Sequence, residues 1–218
     1  MINLDGVTVV YGRTVALDDL TLEIGTGVTG VFGPNASGKS TLLRVLAGLL
    51  KPTRGRVELG GTPLALANEA FRHLVGYAGH EPGLYARLTV RENLALFARL
   101  YGVGSERIEV LLDDLGIAER AATPVGELSA GLKRRASVAR ALLHDPRLLL
   151  LDEPYANLDD EAADLVSRAI QRWVAPDRCA VMATHGAKRV KEFADASLIL
   201  KRGRPVSYRR RVAGAVPS

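Results

Sequence analysis

Nine consecutive residues hold the densest chemistry in the chain: Gly33-Pro34-Asn35-Ala36-Ser37-Gly38-Lys39-Ser40-Thr41. They fit G-x-x-x-x-G-K-[ST], the spacing of a phosphate-binding loop. Glycines allow backbone N–H groups to turn inward around phosphate oxygens. Lys39 sets a positive charge against the outer phosphates, and the Ser40 hydroxyl suits Mg²⁺. Such a loop accommodates a nucleoside triphosphate carried with Mg²⁺. A second pair, Asp152-Glu153, follows four leucines at 148–151. A carboxylate delivered at the end of an apolar strand is suited to help hold Mg²⁺. Glu153, one residue on, can accept hydrogen bonds from an attacking water. As a general base it would contribute about 10²–10⁴-fold.

The elements that must position these groups follow from the pattern of apolar residues. The run over 28–32 predicts a buried strand before the loop, and 40–50 predicts a helix after it. The helix N-terminus adds a partial positive charge where the phosphates would sit. Residues 1–25 alternate with a period near two and predict two strands with a turn at Tyr11-Gly12-Arg13. Short strands are expected over 56–59 and 74–78. Between 82 and 144 the texture is helical. Thr89 and Glu92 make a capping box for a helix over 89–101. A second helix is expected over 105–115, ended near Gly116. A third is expected over 129–143, with Ser129 as its N-cap. Beyond it come a strand at 148–151, a helix over 159–173, a strand at 179–183 ending at Thr184-His185, and a short helix over 188–193. A closing hairpin turns around Gly203. The domain reading is a single unit, with residues 1–81 and 145–218 forming a core and β subdomain and 82–144 a helical insertion.

The chain has 218 residues, 47% hydrophobic and 24% charged, ordinary for one large globular domain. No apolar run approaches the ~20 residues needed to span a bilayer. The start, Met1-Ile2-Asn3-Leu4-Asp5, has no signal-peptide character, so a cytoplasmic location is expected. Cys179 is the single cysteine, so no disulfide forms within the chain, and its apolar surroundings mark it as core. The net charge of +5 is spread along the sequence and reads as solvated surface. One cluster, Lys201, Arg202, Arg204, Arg209, Arg210 and Arg211, is expected to be a frayed tail. Lipid headgroups or a partner are its other readings.

Taken in order, these motifs resemble the nucleotide-binding subunits of ATP-binding cassette (ABC) transporters. Leu128-Ser129-Ala130-Gly131-Leu132 is similar to their signature, usually written L-S-G-G-Q. The resemblance implies an α/β P-loop NTPase of the ABC ATPase type. Its parts are a RecA-like core, an N-terminal antiparallel β subdomain and an inserted α-helical subdomain. It implies that Tyr11, 22 residues before Gly33, stacks on adenine; a turn tyrosine is the lesser alternative. Residues Gly33 to Thr41 would hold the phosphates, Ser40 and Asp152 the Mg²⁺, and Glu153 would be the catalytic base beside Lys39. His185 would contact the γ-phosphate and orient that base. Asp159 ends a loop, Ala156-Asn157-Leu158-Asp159, that crosses a dimer interface. Ser129 and Gly131 would face ATP held by a second copy, in a head-to-tail homodimer. The resemblance further implies a separate membrane-spanning partner, peripheral attachment to the inner face of the membrane, and no nucleic acid. Only about ten residues follow the hairpin, so no regulatory domain is expected.

Four positions depart from the family pattern. Ala36 replaces a common loop glycine, which invites backbone strain. Ala130 replaces a signature glycine, and Leu132 replaces the signature glutamine. His80, in Gly79-His80-Glu81-Pro82-Gly83, stands where a glutamine usually reaches Mg²⁺ and the attacking water. That pentapeptide resembles the ATP-binding subunit of the haem exporters used in cytochrome c maturation. Drug or polysaccharide exporter subunits, and soluble ABC ATPases that act as scaffolds in iron–sulfur assembly, are the alternatives. With histidine in the glutamine's place, His80 is a further candidate to ligate Mg²⁺ or to accept a hydrogen bond from the water, and imidazoles as a side-chain class titrate near neutrality. ATP hydrolysis is therefore expected to fall as pH drops through that range, and His80→Gln to flatten the profile. A pH–rate curve for the variant that matches wild type would remove His80 from the reaction.

Overall fold

The computed structural model describes residues 1–64, 69–185 and 187–211. The chain opens with an antiparallel hairpin, β1 (Ile2–Tyr11) and β2 (Thr14–Ile24). Ile2, Leu4, Val7 and Val9 of β1 and Leu17, Leu20 and Ile24 of β2 are buried. Strand β3 (Gly27–Phe32) starts a second sheet and leads through the phosphate loop into α1 (Lys39–Leu46). Strands β4 (Arg54–Leu59) and β5 (Thr62–Pro63) return to the first sheet, whose order is β2-β1-β4-β5, antiparallel throughout. Helix α2 (Glu69–Leu74) then leads into β6 (Val75–Ala78).

Three α-helices intervene before the next strand: α3 (Val90–Tyr101), α4 (Glu106–Asp114) and α5 (Ala130–Leu142). The rest is β7 (Leu148–Asp152), α6 (Asp160–Trp173), β8 (Cys179–Ala183), α7 (Ala187–Phe193), β9 (Ala196–Lys201) and β10 (Arg204–Arg210). The second sheet runs β10-β9-β3-β8-β7-β6, parallel except for β10. Every residue of β7 and β8 is buried, as continuous apolar strands are when both faces of a parallel sheet are covered. Alternation along β7 divides the core. Leu149 and Leu151 join a cluster with Leu94, Ile108 and Leu112 of the helices. Leu148 and Leu150 join another with Leu42 and Leu46 of α1 and the apolar face of the first sheet. The helical insertion thus shares its apolar cluster with the sheet.

The expected elements largely form. Thr89 caps α3 in a full capping box, and Gly102 ends it at φ 67°, a left-handed position that glycine adopts without strain. Ser129 caps α5. Three expectations need correction. The helix after the phosphate loop stops at Leu46, and Gly48 turns the chain at φ 68°. Residues 69–74 are helical, so the strand begins one residue late, at Val75. The basic cluster at 201–211 is no frayed tail. Arg204, Arg209 and Arg210 belong to a paired strand, with Arg204 on Asp18 and Arg210 donating to the Thr26 carbonyl, and just past its end the Arg211 N–H donates to the Asp195 carbonyl. Residues after 211 lie outside those described.

His144, in the turn after α5, ties this helix to β6. Its ring stacks on Tyr101 at 4.0 Å between centroids, and Nε2 lies 3.1 Å from the Val75 carbonyl oxygen. Burial, ahead of any charge, pushes its pKa down to about 4. An imidazole held neutral in the fold but free to protonate when unfolded gives the unfolded chain the extra proton between about pH 6.5 and 4. Its contribution is present above about pH 6.5 and is lost as pH falls through that window. His144→Gln keeps an N–H for Val75 without a titrating group. The drop in thermal midpoint from pH 6.5 to 4.5 is expected to be about 3–6 °C smaller in the variant than in wild type. Equal drops would remove His144 as the cause.

Candidate functional site

The phosphate loop is held from three sides. Lys39, 7% exposed, folds back and donates from Nζ to the carbonyls of Gly33 and Pro34 at 2.8 and 3.1 Å. These bonds draw the loop into a ring around the ammonium. The Ser37 N–H closes a turn onto the Pro34 carbonyl, and the Ser37 carbonyl accepts from the Gly203 N–H. Ala36 stands at φ 59°, the left-handed conformation that its replacement of a glycine foretold. Gly38 is required twice over. It has φ 104°, and a Cβ there would stand 2.5 Å from the Ala16 carbonyl oxygen. Gly33 would bring a Cβ to 2.2 Å from the Leu200 carbonyl oxygen. The Ser37 hydroxyl is buried and has no hydrogen-bond partner among the described residues, so its side chain packs inward. Pro34, Asn35, Ala36 and Ser40 are exposed, and Thr41 is half-buried in the first turn of α1.

Sheet register brings the carboxylates to this loop. Ala183 of β8 pairs with Val31 of β3 on one side and with Asp152 of β7 on the other. The Thr184 N–H donates to the Val31 carbonyl, and the Glu153 N–H to the Ala183 carbonyl. The ends of three parallel strands therefore present the loop, Asp152-Glu153 and Thr184-His185 along one edge. Asp152 is 2% exposed and accepts from the Ser40 hydroxyl. Burial, the largest influence, raises its pKa, while the Ser40 hydroxyl, His80 and Arg134 draw it back and Glu153 adds to the rise. A buried carboxylate against a hydroxyl is the donor set a Mg²⁺ takes from protein when phosphate and water supply its other ligands. The described residues contain no group of three or more His, Cys, Asp or Glu able to hold a metal alone. The residues present fit Mg²⁺ bound together with phosphate.

Glu153 is fixed at both oxygens. Oε1 accepts from the His185 main-chain N–H and lies beside His185 Nδ1, each at 2.9 Å, while Oε2 accepts from the Thr184 hydroxyl at 3.0 Å. Its backbone stands at φ 51°, uncommon for a residue with a side chain and a place where strain is stored. His185 is the exposed member of this pair. Tyr11 ends β1 across from Thr14, exposed, in the hairpin whose Ala16 carbonyl touches the loop at Gly38. His80, on the exposed turn after β6, is near enough for its charge to act on Asp152.

Ser129, Gly131 and Asp159 form a second group. Ser129 Oγ accepts from the Leu132 N–H at 3.3 Å. A Cβ on Gly131 would stand 2.7 Å from the Asn157 carbonyl oxygen, so the start of α5 lies directly on the 156–159 loop. Asp159 Oδ1 accepts from the Ala162 N–H and caps α6. Its carboxylate thus has a structural task. No hydrogen bond joins this group to the phosphate loop among the described residues. Thr184 and Arg134, whose bonds reach the same centre, escaped the sequence reading. Thr184 sits at a strand end beside a candidate residue. Arg134 is the middle one of three consecutive basic residues, Lys133-Arg134-Arg135, and nothing local distinguishes it from its neighbours.

Among the described residues no helix is long and apolar enough to cross a membrane. A family described as ABC transporter matches residues 17–156. The chain is 32% identical over 211 residues to Nod factor export ATP-binding protein I of Rhizobium sp. (strain N33), covering 94% of this chain and 69% of that protein. It is 34% identical over 207 residues to the protein of the same name from Bradyrhizobium diazoefficiens, covering 93% and 68%. These relatives are named for Nod factor export and not for haem export. A solved dimer of the ATP-binding cassette MJ0796, in a post-hydrolysis state with ADP and Pi, superposes with a TM-score of 0.88 at 26% identity. It covers 96% of this chain and 98% of that one. With this fold, this phosphate loop and these matches, the chain belongs to the ABC transporter family, as an ABC ATPase that binds ATP.

Proposed function

We propose that this chain is the motor of an exporter. In this reading two copies close head to tail around two ATP molecules, and hydrolysis releases them to drive a separate membrane-spanning subunit from the cytoplasmic face. The observation that carries it is the Glu153 carboxylate, held by Thr184 and His185 at the end of the strand that also delivers Asp152. Held at both oxygens, Glu153 keeps its acceptor capacity in place for a water without reorganising. Lys39 and the loop N–H groups would take the charge that develops on the transferred phosphate, and Tyr11 would stack on the adenine. Bound Mg²⁺, on Ser40 and Asp152, would offset charge on the outer phosphates. Mg²⁺ prefers oxygen ligands, so His80 acts on bound water rather than as a direct ligand. Ser129 and Gly131 of one copy would meet the nucleotide of the other, which accounts for their place apart from the loop in a single chain.

Export is favoured by the names of the relatives, which match over nearly the whole chain. The haem-export reading rests on narrower, local observations: Gly79 to Gly83, Leu88-Thr89, Glu92-Asn93-Leu94, and the Leu128-Ser129-Ala130-Gly131 signature with Arg134-Arg135 after it. Pull-down of the tagged protein from detergent-solubilised native membranes separates the cargo readings. A multi-span partner supports transport, and its identity fixes the cargo class. Reproducible recovery of soluble proteins alone would replace transport with an assembly scaffold. Glu153→Gln tests the chemistry. It is expected to lower ATP turnover by about 10²–10⁴-fold and to accumulate an ATP-dependent dimer by light scattering. Turnover at the wild-type rate would remove Glu153 as the base.

A further inference from the structure

Helix α5 lays a row of donors along a backbone segment more than fifty residues earlier in the chain. Arg140 donates to the Tyr77 carbonyl at 2.7 Å, and the Ser137 hydroxyl to Pro82 at 2.9 Å. Arg134 donates to Gly79 at 2.7 Å and to His80 at 3.1 Å. These donors, three residues apart, lie on one helix face. They satisfy the Tyr77 carbonyl of β6, the last strand of its sheet, and the carbonyls of Gly79, His80 and Pro82 in the segment that follows it. Arg134 does more than this. Its Nη1 also donates to the main-chain carbonyl of Asp152 at 3.2 Å. One guanidinium, 6% exposed, therefore joins the signature helix, the His80 turn and the end of β7.

Burying a guanidinium is unfavourable unless its donors are used. Burial does lower the Arg134 pKa, with the charges of Asp152 and Glu153 opposing that shift. A neutral side chain could fill the same space without that penalty. What only a planar fork supplies is several donors in fixed directions, here spread over three carbonyls belonging to two separate chain segments. Both segments carry groups that face the nucleotide, His80 on one and Asp152-Glu153 on the other. The helix that bears Arg134 starts at Ser129, five residues away.

We propose that Arg134 is a positioning residue: through the carbonyls of Gly79, His80 and Asp152 it holds the His80 turn and the Asp152-Glu153 pair in register with the signature helix. In the dimer, on which this inference rests, the start of α5 faces the partner's nucleotide. Arg134 then links the two composite sites within one protomer, acting through His80 and Glu153 without touching ATP.

The test uses the full chain and MgATP. Arg134→Met is expected to lower kcat by about 10- to 100-fold, to change KM for ATP less than about twofold, and to lower the Hill coefficient for ATP toward one. Arg134→Lys, a point charge able to reach one or two of the carbonyls, should restore part of kcat. In a double mutant with His80→Ala the two losses should multiply to less than their product, since one acts through the other. A side chain that only stabilises the fold would lower the thermal midpoint and active fraction, leaving the Hill coefficient and the His80 coupling unmoved. Wild-type kcat in Arg134→Met, or losses that multiply fully with His80→Ala, overturns the proposal. Should the Met variant fail to fold, the same comparisons are read in Arg134→Lys. If Glu153→Gln alone forms no ATP-dependent dimer, the dimer reading fails. If it dimerises and Arg134→Met behaves as wild type, only the role of Arg134 fails.

Discussion

Three parallel strands in one register govern the whole site. Ala183 lies between Val31 and Asp152 in the sheet, and the hydrogen bonds Thr184 N–H to Val31 and Glu153 N–H to Ala183 carry that register one residue past the strand ends. A slip of one residue in β7 would turn Asp152 and Glu153 to the opposite faces. What prevents the slip is the apolar load on both faces of β7. Leu149 and Leu151 are committed to the helical side, and Leu148 and Leu150 to the side of α1 and the first sheet. The edge that carries the candidate site is therefore specified by core packing, and the loops that leave it need only be short.

Around this edge the loop is shaped by close approach of backbone to backbone. Gly33 sits against the Leu200 carbonyl and Gly38 against that of Ala16, so strands from both sheets press on the loop. Lys39 closes it from within. Positive φ values at Ala36 and Glu153 are local departures from relaxed backbone within the site. Such strain persists only where the surrounding structure over-determines it, and here the Lys39 bonds, the paired strands and the Thr184–Glu153–His185 contacts do so.

The second group, on α5 and α6, is built on different physics. Gly131 is a glycine because the Asn157 carbonyl leaves no room for a Cβ. Leu132, in place of a polar residue, packs against the apolar cluster. Helix α5 is bound along its length to the backbone between Tyr77 and Pro82 by Arg134, Ser137 and Arg140. The signature end thus stands on the same scaffold as His80.

Much of this was legible in the sequence because it is local. The phosphate loop, the Thr89–Glu92 capping box, the Ser129 cap and the four leucines before Asp152 each express a rule that spans fewer than ten residues, and each forms as expected. The family resemblance then ordered them, and in the fold Glu153 and His185 lie in contact. Tertiary structure alone decided the rest. Helix α2 is short, its apolar periodicity too brief to distinguish from the strand that follows. The arginines at 204–211 look like a charged tail until Asp18, Thr26 and Asp195 are brought beside them from distant parts of the chain. Arg134 is one of three consecutive basic residues with nothing local to single it out until carbonyls 55 and 54 residues upstream arrive at its guanidinium. Side-chain bonds to distant backbone leave no period and no spacing in a sequence, because carbonyl acceptors are the same at every residue. Only the packing of α5 on the edge of β6 selects which of them are used.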